Sequence, residues 1–310
     1  MEDRCVVIHD LGVEGFHESD GLAPQTFLGL YDGHGGTEAS EWLKHNLHPT
    51  LVTCLERLAA EVRAAEAGEA RDELVQRAIQ EAFSEVDEQF MDNSLRPKAG
   101  SCATTALIVG RRLYVANLGD SRTLLARNGG IHIVTEDLKP SRADERERIT
   151  SAGGVVLYSR VMGELAVSRA FGNAHLKKLD GSVPHDVTGG FDVGPDIGVE
   201  DSDDDEPLWL APLVLCRPEF LVSDLTGGDD FLLLGCDGLF DVMSNEEVVE
   251  MVRMLLTAEF TPDTVCGMLS AQAITERHSS DNVTVMLADF QSARRGQQRQ
   301  QQRHPRVDGL

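Results

Sequence analysis

Apolar and polar positions along this chain change period several times, and each change marks a predicted element. Residues 27–31, Phe-Leu-Gly-Leu-Tyr, form a short apolar run that stops at Asp32-Gly33-His34-Gly35-Gly36. That pattern predicts a buried strand ending on an acid, a histidine and three glycines. Residues 231–234 run into Gly235-Cys236-Asp237-Gly238 in the same way, and residues 113–118 run into Gly119-Asp120. A fourth stretch reverses the order, with Asp281-Asn282 leading into 283–287. Four predicted strands that each meet an aspartate at one end imply a single carboxylate cluster on the rim of a sheet. A strand end suits a metal ligand, because the sheet fixes the carboxylate while glycines leave room for ions and substrate.

The remaining pattern supplies the rest of the fold. Val6-Val7-Ile8 predicts a first strand that pairs with 27–31 as a hairpin across a loop containing Gly12 and Gly21. From Thr37 to about Arg63 the apolar spacing is helical, through Ala39, Trp42, Leu43, Leu47, Leu51, Leu55, Leu58 and Val62, with Pro49 expected to kink or divide it. Residues 69–90 predict a second helix with Leu74, Ala78, Ile79, Ala82, Phe83, Val86 and Phe90 on one stripe. Both stripes read as core packing against a sheet.

Residues 101–109, 112–118, 122–126 and 131–135 predict an antiparallel meander, punctuated by Gly110-Arg111 and Asn128-Gly129-Gly130. A charged helix over 140–152 stops at Gly153-Gly154, and short strands are expected at 155–158 and 165–168. Strands at 220–223 and 230–236 resume the sheet. Ser244 and Glu247 then form a capping box for a helix carrying Val248, Val249, Val252 and Leu255. A last helix, from Thr261 or Asp263 to Glu276, precedes a closing strand at 282–290. Helices come in blocks with hairpin strands between them, which is α+β organisation. Enough strands for two sheets, with helices outside both, predicts a four-layer αββα sandwich.

Composition narrows the function. The 310 residues and 41% apolar content support a real core in one large domain or two small ones. A formal net charge of −24 argues against general nucleic-acid binding and against attraction to anionic membranes. The six cysteines are scattered without a Cys-x-x-Cys pair, which fits reduced, buried thiols better than a disulfide framework or a zinc site. No stretch reads as a membrane span or a leader, so the cytoplasm or nucleus is the expected location. Residues 179–207 break the pattern, and six of the seven residues from 200 to 206 are acidic. This reads as a solvated surface insertion, since it lacks the spaced ligands and central glycine of a calcium loop. Residues 291–310, rich in Gln and Arg, are expected to be a disordered tail.

Clustered Asp and Glu without His/Cys pairs favour magnesium or manganese over zinc. Two such ions a few ångströms apart lower the pKa of a bridging water and clamp both oxygens of a phosphoryl transfer. A departing phosphate ester also needs a proton, and His34, two residues after Asp32, is placed to supply it. Each motif alone is weak: a lone Asp-Gly-His is more often a turn, and an Asp at a strand end is usually a cap.

Taken together the motifs resemble the metal-dependent protein serine/threonine phosphatases of type 2C. The matching segments are Met1-Glu2-Asp3, 31–36, 116–122, Glu145-Arg146 through Ala152-Gly153-Gly154, 165–172, 236–243 and 280–285, in the family's order. The resemblance implies a phosphatase domain over residues 1–290 and a two-metal centre between two antiparallel sheets. It implies hydrolysis of phosphoserine and phosphothreonine in proteins by a metal-activated water. Asp32 would bridge both metals, with the Gly33 carbonyl on one ion and Asp237 and Asp281 on the other. Glu2 would act directly or through water, and Asp120 with Asp237 would form a weaker third-metal site. His34 is the implied general acid. For Asp120 a turn aspartate capping Ser121-Arg122 stays the alternative, and Asp241 is expected to cap or orient the loop after Asp237. The implied cofactors are Mg2+ or Mn2+, the implied partners are phosphoprotein substrates, and a monomer is expected.

The family places a strand and a phosphate-binding arginine before Met-Glu-Asp, and this chain starts at Met1. Either the sequence is N-terminally shortened, or Arg4 or Arg160 takes the arginine's place. Leu138, Cys102 and Asn173 stand where the family commonly has His, Thr and Asp. Two other readings stay open: a pseudophosphatase serving as a binding module, and a hydrolase of small phosphate esters.

Overall fold

The structure is a computed structural model that describes residues 1–96, 98–177 and 209–291. The chain begins with β1 (Arg4–Ile8) and β2 (Gln25–His34), then α1 (Glu38–Ala64) and α2 (Glu69–Asn93). Four strands follow, β3 (Gly100–Val109), β4 (Arg112–Leu118), β5 (Arg122–Arg127) and β6 (Gly130–Val134), and then α3 (Ala143–Ser151). Short pieces come next: β7 (Val156–Leu157), β8 (Arg160–Val161), β9 (Phe171–Gly172) and α4 (Ala174–Lys177). The chain continues with β10 (Glu219–Asp224), β11 (Asp229–Gly235), α5 (Asp237–Phe240), α6 (Asn245–Thr257), α7 (Pro262–Thr275) and β12 (Val285–Asp289).

One sheet has the order β1-β2-β3-β4-β10, with β9 pairing β3, and the other has the order β12-β11-β5-β6. All of these pairings are antiparallel. Strand alternation decides which side chains each layer receives. In β2, Phe27 and Tyr31 pack with Leu43, Leu47 and Leu55 of α1 and Phe83 of α2. Leu28 and Leu30 point the other way and pack between the sheets with Leu232 and Leu234 of β11. On the far side, Phe231 and Leu233 meet Val248 and Val252 of α6 and Leu269 of α7. The result is the αββα sandwich that the hydrophobic pattern predicts. Period two also puts Asp32 on the same side as Leu28 and Leu30, in the gap between the sheets.

Four expectations need correction or refinement. Residues 101–135 are not one meander. The β3–β4 hairpin belongs to the first sheet and the β5–β6 hairpin to the second, so the chain crosses the gap at Gly119-Asp120-Ser121. Gly119 makes the crossing possible: its φ is +107°, and a Cβ there would lie 2.3 Å from Cys102 Sγ. Pro49 does not divide α1, which runs unbroken from Glu38 to Ala64. The buried stripe Leu43, Leu47, Leu51, Leu55 passes straight through, and burying four such side chains outweighs the proline's cost of about 3 kcal/mol.

Residues 165–168 form no strand, only an isolated bridge between Val161 and Leu165. Ser168 is held instead on the Leu138 carbonyl, to which its N–H donates at 2.9 Å and its hydroxyl at 2.7 Å. The closing strand starts at Val285 rather than at residue 282, leaving Asp281 in the loop ahead of it. The capping box is as expected, with Ser244 and Glu247 each taking the other's backbone N–H. The acidic insertion at 179–207 and the tail beyond Gln291 lie outside the described residues. No helix among the described residues is long and apolar enough to cross a membrane.

Candidate metal centre

Apolar packing fills the gap between the sheets until the strands end, and there the lining becomes polar. Glu2, Asp32, Gly33, His34, Asp120, Asp237 and Asp281 all line one open cleft of about 410 Å³. Each arrives by a different route. Asp32 follows the alternation of β2. Asp237 opens the short helix α5 directly after β11, and Asp120 sits in the crossover between β4 and β5. Asp281 precedes β12 and accepts the Asn282 N–H at 2.7 Å. Glu2 lies beside β1: its backbone N–H donates to Asn282 Oδ1 at 2.7 Å, and its Oε1 accepts the Gly36 N–H at 2.8 Å.

Like charges this close work against ionisation. Burial first, then the charges of Asp237, Asp3, Asp120 and Asp281, push the Asp32 carboxyl up to about 10. Asp237 is pushed up to about 7 by burial and by Asp120, Asp281 and Asp241, with Lys139 opposing. Burial raises Asp120 as well, and Lys139 Nζ, 3.4 Å from its Oδ2, partly offsets the shift. Lys139 also lies 3.6 Å from Asp241 Oδ1, so one ammonium group serves both Asp120 and Asp241.

His34, the last residue of β2, has its Nε2 2.9 Å from Asn173 Oδ1. The Asn173 amide donates to the Lys98 carbonyl at 3.0 Å, so its oxygen faces the ring and His34 Nε2 carries the proton. Burial lowers the His34 pKa, and the bond to Asn173 opposes the shift.

Several residues that sequence reasoning left without a role belong to this site. Asp3 is 5% exposed. Its Oδ2 accepts the Thr284 hydroxyl at 2.7 Å, while its Oδ1 has no hydrogen-bond partner. Asp3 adjoins β1 at Arg4, which pairs with Tyr31 of β2, so the strand register carries Asp3 next to Asp32. That juxtaposition was available from the hairpin, had its register been known. Lys139 and Asn173 carried no comparable signal.

Cys236 was read only as a buried thiol. Its sulfur and carboxylate oxygens of Asp32 and Asp237 all lie within 4.8 Å of one another. Cys102 donates to Asp120 Oδ1 at 3.4 Å. Of the two arginines considered for phosphate, Arg4 faces α1, bonded to Glu41 and, at 2.8 Å, to the Asp3 carbonyl. Arg160 lines the cleft. The carboxylate donors and the unpartnered Asp3 oxygen fit hard divalent cations, which favour oxygen ligands and would offset the crowded negative charge.

Comparison with known proteins points the same way. A family model described as Protein phosphatase 2C matches residues 1–283. The chain is similar to "Probable protein phosphatase 2C 59" of Arabidopsis thaliana, 33% identical over 293 residues, covering 92% of this chain and 77% of that protein. It is also similar to "Probable protein phosphatase 2C 52" of Oryza sativa subsp. japonica, 34% identical over 271 residues, covering 86% of this chain and 44% of that one. The chain thus spans from under half to about three quarters of the length of these relatives. Among solved structures, a serine-threonine phosphatase 2C from Toxoplasma gondii matches with a TM-score of 0.68 at 23% identity, over 92% of this chain and 89% of that one. That likeness establishes a shared fold.

Proposed function

The chain belongs to the protein phosphatase 2C family, and on that premise we propose that it is a metal-dependent phosphatase acting on phosphoserine and phosphothreonine in proteins. One observation carries the reading: Asp32, Asp237, Asp281 and His34, drawn from separate segments, line a single open cleft. Magnesium or manganese, two ions with a third at Asp120, would neutralise the phosphate and activate a water nucleophile. Asp32 and the Gly33 carbonyl would hold one ion, and Asp32, Asp237 and Asp281 the other, with Glu2 reaching in directly or through water.

The chain's own residues do the rest. His34 would give its proton to the departing serine or threonine oxygen, and burial makes its imidazolium form readier to do so. Asn173 holds the ring by its Nε2–H. Lys98 and Arg160 line the same cleft and offer positive charge to the phosphate of a monomeric enzyme's phosphoprotein substrate. A crowded carboxylate cluster costs stability, which favours a working centre over a non-catalytic binding module.

Manganese-dependent hydrolysis of a phosphothreonine peptide by this chain is the test, with Asp237→Asn as control. Turnover that needs metal and is lost in the variant supports the reading. A folded chain that binds manganese and turns over neither this peptide nor a small phosphomonoester would refute it. Turnover of the small ester alone would reassign the substrate class.

A further inference from the structure

Around His34 the wall of the cleft gains cations. Lys98, Arg160, Glu164 and His175 line it together with Asn173, the residue that holds the His34 ring. Three segments bring them there. Lys98 precedes β3, and its carbonyl accepts the Asn173 amide at 3.0 Å. His175 follows Asn173 by two positions, on α4, and is 8% exposed. Glu164 lies past β8, its N–H donating to the Val161 carbonyl at 2.9 Å and its carbonyl accepting Arg160 Nη1 at 2.7 Å. These bonds fix its backbone and leave its carboxylate to reach across the cleft wall. There Oε2 lies 3.6 Å from Lys98 Nζ and 3.5 Å from His175 Nε2. Two nitrogens from different segments thus meet on one carboxylate oxygen, next to the group that orients His34.

This position has a chemical meaning. If His34 protonates the departing serine or threonine oxygen, the substrate's polypeptide must cross the rim beside His34, where Asn173 links the ring to Lys98. An oxyanion held there stands among the residues that flank the phosphorylated one. Resting on that reading, we propose that Lys98 and His175 form a subsite for a second anionic group of the phosphoprotein, a flanking carboxylate or phosphate. Glu164 fills the subsite while substrate is absent. Lys98 supplies a fixed charge, and the imidazole supplies an N–H from a largely buried wall. The Glu164 side chain is 34% exposed, and an ion pair so open to water is weak enough to exchange for a substrate anion. The net charge of −24 repels acidic chains at long range, but exposed charges are screened beyond about 8 Å, so local contacts decide. The two cations of the cleft then divide their work, Arg160 serving the scissile phosphate and Lys98 the flank.

The test uses the whole 310-residue chain loaded with manganese, and labelled peptides in which a non-hydrolysable phosphonate replaces phosphothreonine. Fluorescence anisotropy gives the Kd for flanks of glutamine, glutamate, phosphoserine or arginine, placed in turn on either side. An anionic flank on one side should bind about threefold tighter than glutamine. In Glu164→Gln, where the internal competitor has lost its charge, the preference should widen to about tenfold. Lys98→Gln should abolish it. Lys98→Glu should transfer it to arginine, a reversal that a merely structural role for Lys98 would not produce. A preference for phosphoserine without glutamate supports the subsite as one for phosphate, and equal preferences support it as one for either anion. Binding that ignores the flank in Glu164→Gln, or is absent for every peptide, overturns the proposal. So does a preference for arginine in the unsubstituted chain, or one for anions that survives Lys98→Gln. Turnover of the glutamine-flanked phosphothreonine peptide tests the phosphatase reading separately, so the two fail independently.

Discussion

His34 Nε2 and Asn173 Oδ1 lie 2.9 Å apart although the residues are separated by 139 positions in the chain. The asparagine is tied in turn by its own backbone N–H to the Ala99 carbonyl at 2.8 Å and by its side-chain amide to Lys98. The ring that would protonate the leaving oxygen is therefore held by a neutral partner. A carboxylate in its place would favour the imidazolium form and raise the His34 pKa. A general acid works only while protonated, so activity falls as pH rises through that pKa. Asn173→Asp should move the basic limb of the pH–rate profile upward by about one unit. Profiles of phosphothreonine-peptide hydrolysis for the two proteins measure this, and coincident basic limbs would show that the residues are uncoupled.

Without metal, the acid cluster ties stability to pH. An unfolded aspartate loses its proton near about 4. In the folded chain Asp237 keeps its proton up to about 7 and Asp32 up to about 10. Between those limits the folded state binds more protons than the unfolded one, so stability falls as pH rises. The Asp237 contribution levels off above about 7 and the Asp32 contribution above about 10. Thermal unfolding of chelator-treated protein should show Tm falling from about pH 5 to about pH 9, and saturating manganese should flatten the slope. A metal-free Tm that rises over this range would contradict the clustered geometry.

Gly100 sits opposite His34 in the β2–β3 pairing. A Cβ there would lie 2.2 Å from Asn173 Oδ1 and 2.4 Å from His34 Nε2. Gly100→Ala must therefore push these two groups apart. Turnover should drop by roughly tenfold to a hundredfold, because a displacement near 1 Å has costs of that order. Metal affinity, read by calorimetry, should change far less. Equal losses of turnover and metal affinity would mean that the whole rim had shifted.

Glu145 on α3 is 1% exposed and takes charge-assisted bonds from Arg148 at 2.9 Å and from Arg169 at 3.0 Å. Burial alone would raise its pKa, but the two guanidinium groups outweigh it and hold the carboxyl below its usual range. Arg169 lies just ahead of β9 and Asn173, so this carboxylate anchors the segment that positions His34. Glu145→Ala leaves Arg148 without its acid and Arg169 with only Glu219, 3.4 Å away, and should destabilise the fold by about 3 kcal/mol. Denaturant unfolding measures it, and a loss under about 1 kcal/mol would mean the arginines find other partners.

How much of this was legible in the chain differs from residue to residue. Asp32 was readable because Leu28 and Leu30 precede it at strand spacing, so a rule of alternation alone carries it into the gap. Asp237 and Asp281 were readable from the apolar runs they border. Asp120 was only half-readable. Its place depended on the crossing at Gly119, and the same punctuation would serve a hairpin that stayed within one sheet. The two helical stripes, the capping box at Ser244 and the layer order followed from local periodicity. The continuity of α1 through Pro49 did not, since packing on both sides of the proline overrode its local preference.

By itself, then, the sequence determined the elements, their buried faces and the identity of the acids, because hydrophobic period and local propensity act over a few residues. Only the tertiary structure decided that Asn173 would hold His34, that Lys139 would neutralise Asp120, and that Asp3 and Cys236 would stand beside Asp32. Those relationships join segments far apart in the chain. They are set by strand register and by the packing of one sheet on another, and neither leaves a periodic trace in the order of residues.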